Sequence, residues 1–192
     1  AMRNNDFATA DKALDEANAS GLDVRAQSEV LYWHGVVKMR RGEIQPAESA
    51  FEDSKKEDGQ NWRAIVAHAA LLGQSGERDT EAMAKMGDLA LVDPGFYEQY
   101  QRVTLFFPDP ATELLALGQK TFTRIHTTSH GVDARSSTSL GILAYLGGNR
   151  PKAAQLIGAA LDEANPGPAA FVFSGLLAEA KGGKANLDQA LQ

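Results

Sequence analysis

Gly35-Val36-Val37-Lys38-Met39-Arg40-Arg41-Gly42-Glu43-Ile44-Gln45-Pro46-Ala47-Glu48-Ser49-Ala50-Phe51-Glu52-Asp53-Ser54 is the stretch whose order decides the fold. A small residue, Gly35, stands seven positions before a glycine, Gly42. A second small residue, Ala47, follows the break, with the larger Phe51 four positions on and the small Ser54 three beyond it. The same order returns as Gly141, Gly148, Ala153, Ile157 and Ala160. Gly42 and Gly76 lie 34 residues apart, as do Gly148 and Gly182, and Ala69 and Gly175 stand seven positions before the later member of each pair. A small side chain lets the two helices of a hairpin approach closely. Glycine after a helical run supplies the left-handed conformation that ends a helix.

The pattern on either side of these breaks is helical. Leu31, Gly35, Val36 and Met39 recur at the spacing of one helix face, as do Ala47, Ala50, Phe51 and Ser54. Ile65, Ala69, Ala70 and Leu72 repeat it, followed by Ala82, Met86, Leu89 and Ala90. Leu140, Leu143 and Ala144 line a later helix, and Ala153, Ile157, Ala160 and Leu161 the next. Pro46 and Pro151 stand near the first turn of a helix, where a missing N–H costs nothing. No sustained period-two alternation rich in Val, Ile and Thr is present, so strands are not expected. The 192 residues fit one domain or one array of repeats, and 43% hydrophobic content suffices for a sizeable core. Roughly one residue in six is alanine and only 7% are aromatic, a composition suited to closely packed helices. With no cysteine, a disulfide framework, a thiolate metal site and a cysteine nucleophile are excluded. A net charge of −6 argues against phosphate-backbone binding as the main task. No apolar run approaches the roughly 20 residues of a membrane-spanning helix, and no signal-peptide core opens the chain.

The small–turn–small–large–small order at 34-residue spacing resembles the tetratricopeptide repeat family. The resemblance implies an all-α fold, a right-handed superhelix of antiparallel helix pairs, in a single domain over 1–192. On that frame a half repeat occupies 4–20, with Phe7, Ala10, Leu14 and Ala17 in the second-helix pattern, and repeats follow at about 28–61, 62–95, 134–167 and 168–192, the last truncated. The unit at 96–133 is degenerate: Phe106-Phe107-Pro108-Asp109-Pro110 replaces the small-residue turn, and proline there must end a helix. Ala1-Met2 reads as an expression scar or as a start codon preceded by one, and a chain bounded by half repeats reads as a segment of something longer.

The resemblance also implies a concave groove, lined by the first helices of successive units, that binds a peptide or a partner helix. The positions that would face it are Glu29, Tyr32, Val36, Met39 and Arg40, then Arg63, Val66, Ala70 and Gln74, then Arg135, Thr138, Ile142 and Tyr145, then Val172 and Leu176. Tyrosine anchors contact at low entropic cost, methionine adapts, and arginine forks onto carboxylates. Family members that clamp a terminal carboxylate use lysine and asparagine where this chain has Tyr32 and Val36, which disfavours that subtype.

Chemistry-bearing alternatives are weaker. His34 and His68 lie 34 residues apart, so neighbouring repeats could bring them together, yet two ligands without a carboxylate or cysteine make a poor metal site. His126 and His130 share the i, i+4 spacing of a zinc-binding helix, but Thr127 stands where the general-base glutamate belongs. Ser129 and Asp133 beside them lack the strand-to-helix elbow of a serine hydrolase. Gly147-Gly148-Asn149-Arg150 precedes a helix without the GK[ST] of a phosphate loop and reads as a turn. The cations of Lys38, Arg40, Arg41, Lys55 and Lys56 are answered by nearby Glu and Asp residues. The expectation is therefore a non-catalytic, cytoplasmic protein–protein interaction module without metal or cofactor, with self-association possible and neither nucleic acid nor membrane as partner. The alternative is a regulatory or oligomerising segment of a larger bacterial signalling or transcription-regulatory protein. Enzymatic activity and RNA binding of the pentatricopeptide kind find no support in spacing or charge.

Overall fold

A computed structural model describes residues 6–97, 110–129 and 133–180. Within them the helices are α1 (Phe7–Asn18), α2 (Val24–Arg40), α3 (Ile44–Glu57), α4 (Trp62–Leu72), α5 (Asp79–Gly87) with a 3-10 turn at Asp88–Leu91, α6 (Pro110–Thr128), α7 (Ala134–Leu146), α8 (Arg150–Leu161) and α9 (Pro168–Ala180). No strand occurs among the described residues. The chain is all-α, built from packed neighbouring pairs, of which α2–α3 and α7–α8 are the most extensively joined. Part of the proline-rich stretch (106–109), His130 and the glycine at 182 lie outside the described residues.

The two leading hairpins share one construction. Gly42 and Gly148 have φ of 76° and 78°. Around each, two backbone bonds close the helix end: Gly42 N–H to Met39 O (3.0 Å) with Glu43 N–H to Lys38 O (3.0 Å), and Gly148 N–H to Tyr145 O (3.0 Å) with Asn149 N–H to Ala144 O (2.8 Å). These satisfy carbonyls that a helix end otherwise leaves open. Asn149 then accepts from Lys152 N–H and starts α8, with Pro151 in its first turn. Seven residues before each turn glycine the helices nearly touch. A Cβ placed on Gly35 would stand 2.4 Å from Phe51 Cε1, and one on Gly141 would stand 2.7 Å from Ile157 Cδ1. Phe51 and Ile157 are closed to solvent, so each large residue of a second helix fills the notch left by the glycine of the first.

Two helices form the centre. Every residue of α4 is buried, and so are all those of α7 except Arg135 and Leu140. A helix apolar on all sides has to be covered on all sides, and α6 supplies the cover. Gly118 of α6 sits so close that an added Cβ would lie 3.0 Å from Leu143 Cδ2 on α7 and 3.7 Å from Val66 Cγ1 on α4. Thr121 and Ile125 of α6 close on Gly73 at the end of α4. Arg124 fixes the register: its guanidinium donates to Gly73 O (2.7 Å) and to Asp79 Oδ2 (2.9 Å), tying the α4–α5 turn to α6.

Candidate functional site

The expected groove positions divide by burial. Tyr32 is 1% exposed, Val66 and Ile142 0%, Tyr145 5%, Val36 6% and Arg63 7%, so these six are buried and do not form an open groove. For Val66 the reason lies in α6, which lies over that face of α4 and against Leu143 of α7, where the superhelix reading has an open channel. Tyr32 packs edge-on to Trp33 (5.2 Å between ring centroids) and beneath the Arg63 guanidinium (5.2 Å), which pairs with Glu29. Tyr145 belongs to an aromatic cluster with Tyr97 and Phe173, at 6.3 and 5.3 Å, and carries Arg150 over its ring at 4.0 Å. Met39, Val172 and Leu176 are half-buried against the core. Arg40 is exposed and paired with Glu113; Gln74 and Arg135 are exposed.

Three of the expected positions do converge on an opening. Arg135, Thr138 and Ile142 of α7 line a cleft of about 140 Å³ with Met83, Met86 and Gly87 of α5, and Gly167, Pro168 and Ala169 close it at the start of α9. The hydroxyls in its wall are already used, Thr138 Oγ1 donating to Ala134 O (2.7 Å) and Ser139 Oγ to Arg135 O (2.8 Å). The lining is thus apolar, and the Arg135 guanidinium is engaged by Asp133 (3.3 Å from Nε and from Nη2). Two strongly exposed apolar side chains stand on the elements beside the cleft: Leu91 (77%), in the turn that continues α5, and Phe171 (57%), on the first turns of α9. The α5 and α9 contributions were not foreseeable from spacing, because α5 and α7 meet across the stretch where the repeat pattern fails.

None of the described histidines lines this cleft, and His34 and His68 face different helices. His34 faces Asp11 (3.9 Å) and Asp15 (3.6 Å) of α1, whereas His68 faces Glu48 of α3 at 3.6 Å. No group of three or more His, Cys, Asp or Glu side chains among the described residues is arranged to hold a metal ion. His126 Nδ1 lies 3.0 Å from Ser136 Oγ, but that hydroxyl donates to Asp133 O (2.8 Å) and Ser136 is closed to solvent. The Asp133 carboxylate serves Arg135 instead of the imidazole. This contact joins α6 to α7 and presents no accessible nucleophile.

His68 is 2% exposed and sets a pH dependence. Burial pushes its imidazole below the ordinary 6.5, Lys85 pushes the same way, and Glu48 and Glu52 oppose them. The Arg78 fork, bonded to both Glu48 oxygens at 2.8 and 2.9 Å, holds the Glu48 carboxyl below its ordinary 4.5. Since His68 is folded in its neutral form, the unfolded chain takes up that proton first. Its contribution to stability is whole above pH 6.5 and is lost as the pH falls from 6.5 toward the lowered value; the Glu48 contribution is lost only on further fall below 4.5. Urea unfolding at about pH 7.5 and about pH 5.5 should show native chain losing more stability on acidification than His68→Leu does. Equal losses would place the titration elsewhere.

No helix among the described residues is long and apolar enough to cross a membrane. No family model, curated protein or solved structure was found to match the chain.

Proposed function

We propose that this chain is a non-catalytic interaction module of tetratricopeptide-like helical repeats that docks a partner peptide by taking one apolar side chain into the α5–α7–α9 cleft. The observation that carries the reading is the cleft itself. At about 140 Å³ it is well below the roughly 300 Å³ at which cofactor and small-molecule sites begin, so it suits a single side chain. Met83 and Met86 give walls that adapt to the shape of an aliphatic or aromatic anchor. Buried anchors of this kind supply most of the binding energy of peptide interfaces. A cytoplasmic location and a partner that is itself a protein belong to the same proposal.

Gly87 offers a direct test. It lines the cleft, its φ is −61°, and a Cβ placed there meets nothing within 4 Å. Gly87→Phe should therefore fill the cleft and leave the fold intact. Against an array of acetylated, amidated peptides carrying Leu, Ile, Met or Phe anchors, the native chain should bind a subset that Gly87→Phe releases at least about tenfold, given anchor values near 2 kcal/mol. Binding that Gly87→Phe leaves untouched, with the variant's melting temperature unchanged, would reject the cleft as the docking site.

A further inference from the structure

Of the three glycines that stand seven positions before a repeat glycine, two have their notches filled. Gly35 faces the Phe51 ring and Gly141 the Ile157 side chain, so closely that a Cβ would collide with either. Gly175 holds the same place on α9, yet a Cβ there meets nothing within 4 Å among the described residues. Four residues earlier, about one helical turn away on the same face, Phe171 is 57% exposed. Ala178 continues that face with a small side chain. A bare knob and a bare notch thus stand side by side on α9.

We propose that α9 pairs with α9 of a second copy of this chain, antiparallel about a two-fold axis level with residue 173, so that Phe171 of each copy enters the Gly175 notch of the other. Positions two before and two after the axis fall opposite each other, and the symmetry makes both contacts at once. Each contact repeats between chains the filling that Phe51 gives Gly35 within one. Charge selects the antiparallel arrangement. Glu179, the only charged residue of α9, sits at the negative C-terminal end of its own helix, with no basic residue in the last turn to balance it. The reversed helix of the second copy brings its positive N-terminal end to that carboxylate, whereas a parallel pair would bring two Glu179 side chains together. A helix of 13 residues is about 20 Å long and about 10 Å across, so one such pair falls short of the roughly 1,200 Å² at which stable interfaces begin. The dimer is therefore weak, and dilute chain is monomeric. Phe171, Gly175 and Ala178 do not line the α5–α7–α9 cleft, so this association is independent of docking there.

Sedimentation equilibrium of the full chain between about 10 μM and about 500 μM should show the mass rising from monomer toward dimer. Phe171→Ala removes the knob and Gly175→Leu fills the notch, each twice per dimer, and each should weaken the dimer at least about tenfold. The chain has no cysteine, so an introduced disulfide reports the register directly. Phe171→Cys and Gly175→Cys chains, mixed in equal amounts and oxidised, should cross-link to each other in preference to their own kind. Only the unlike pair aligns the two sulfurs and keeps one native Phe171–Gly175 contact. Like-chain disulfides in both variants would mean a parallel pair and overturn the inference. So would dimerisation that Phe171→Ala and Gly175→Leu both leave unchanged. A chain monomeric across the whole range would also overturn it, and would leave the α9 face to a segment of the same chain or to a different protein.

Discussion

Gly35→Ala is expected to lower the unfolding free energy by about 1–3 kcal/mol, although alanine is the better helix former. The added methyl carbon would stand 2.4 and 2.5 Å from Phe51 Cε1 and Cδ1, distances no relaxed pair of carbons adopts. Phe51 is wholly buried, with Tyr32 at 6.0 Å between ring centroids, so its ring cannot swing aside without moving the core. In a chain of this size each kcal/mol is worth roughly 2–4 °C in melting temperature, which calorimetry resolves. Phe51→Leu introduced into the Gly35→Ala chain should recover part of the loss, because the two residues share one space. Gly175 is the control. It holds the same place seven residues before a repeat glycine, on α9, yet a Cβ there meets nothing within 4 Å. Gly175→Ala should therefore gain up to about 1 kcal/mol from helix propensity alone. If the two alanines behave alike, the close approach of α2 and α3 is not what Gly35 provides.

That contrast also shows what could be read from the sequence. The glycine notch, the glycine turn and the returning large residue are all encoded within about one helical hairpin, where spacing along the chain fixes spacing in the fold. The positive φ at Gly42, Gly76 and Gly148 and the packing of Phe51 and Ile157 belong to that local code. The placement of α6 does not. Gly118 has no place in the 34-residue order, yet it sits between Val66 and Leu143, contacts that join residues far apart in sequence. Because α6 covers the α4 face, Val66 is interior; Ile142 is enclosed with Met83 and Met86 of α5, and Tyr32 and Tyr145 lie in aromatic packing where an open groove would show them to solvent. Arg135 remained accessible because it occupies the first turn of α7. Of the cleft, Arg135, Thr138 and Ile142 were therefore legible in the repeat register, whereas Met83, Met86 and Gly87 came from an element that reaches α7 only through the degenerate stretch.

Replacing Ser28, Ser54 and Asn61 together should cost less than the sum of the three single replacements, by about 1 kcal/mol or more. All three are closed to solvent, where α2, α3 and α4 meet. Ser28 Oγ donates to Ser54 O (2.8 Å), Ser54 Oγ donates to Ser28 O (2.8 Å), and Asn61 Nδ2 reaches both hydroxyls at 3.0 and 3.3 Å. Ser28→Ala alone leaves the Asn61 amide with only the longer bond, and a buried polar group stripped of its partner costs about 1–3 kcal/mol. The chain already contains the apolar alternative. Moving the register by 106 residues places Ala134, Ala160 and Gly167 where Ser28, Ser54 and Asn61 stand. There Ala134 and Ala160 pack with Ala170 in a small apolar cluster. Ser28→Ala with Ser54→Ala and Asn61→Gly thus installs a junction known to close in this fold, and glycine at a helix start costs only a few tenths of a kcal/mol. Urea titrations of the three single variants and the triple variant measure the coupling. Strictly additive losses would mean that the serines and the asparagine act separately, and that the polar junction of the first hairpin is not a single cooperative lock.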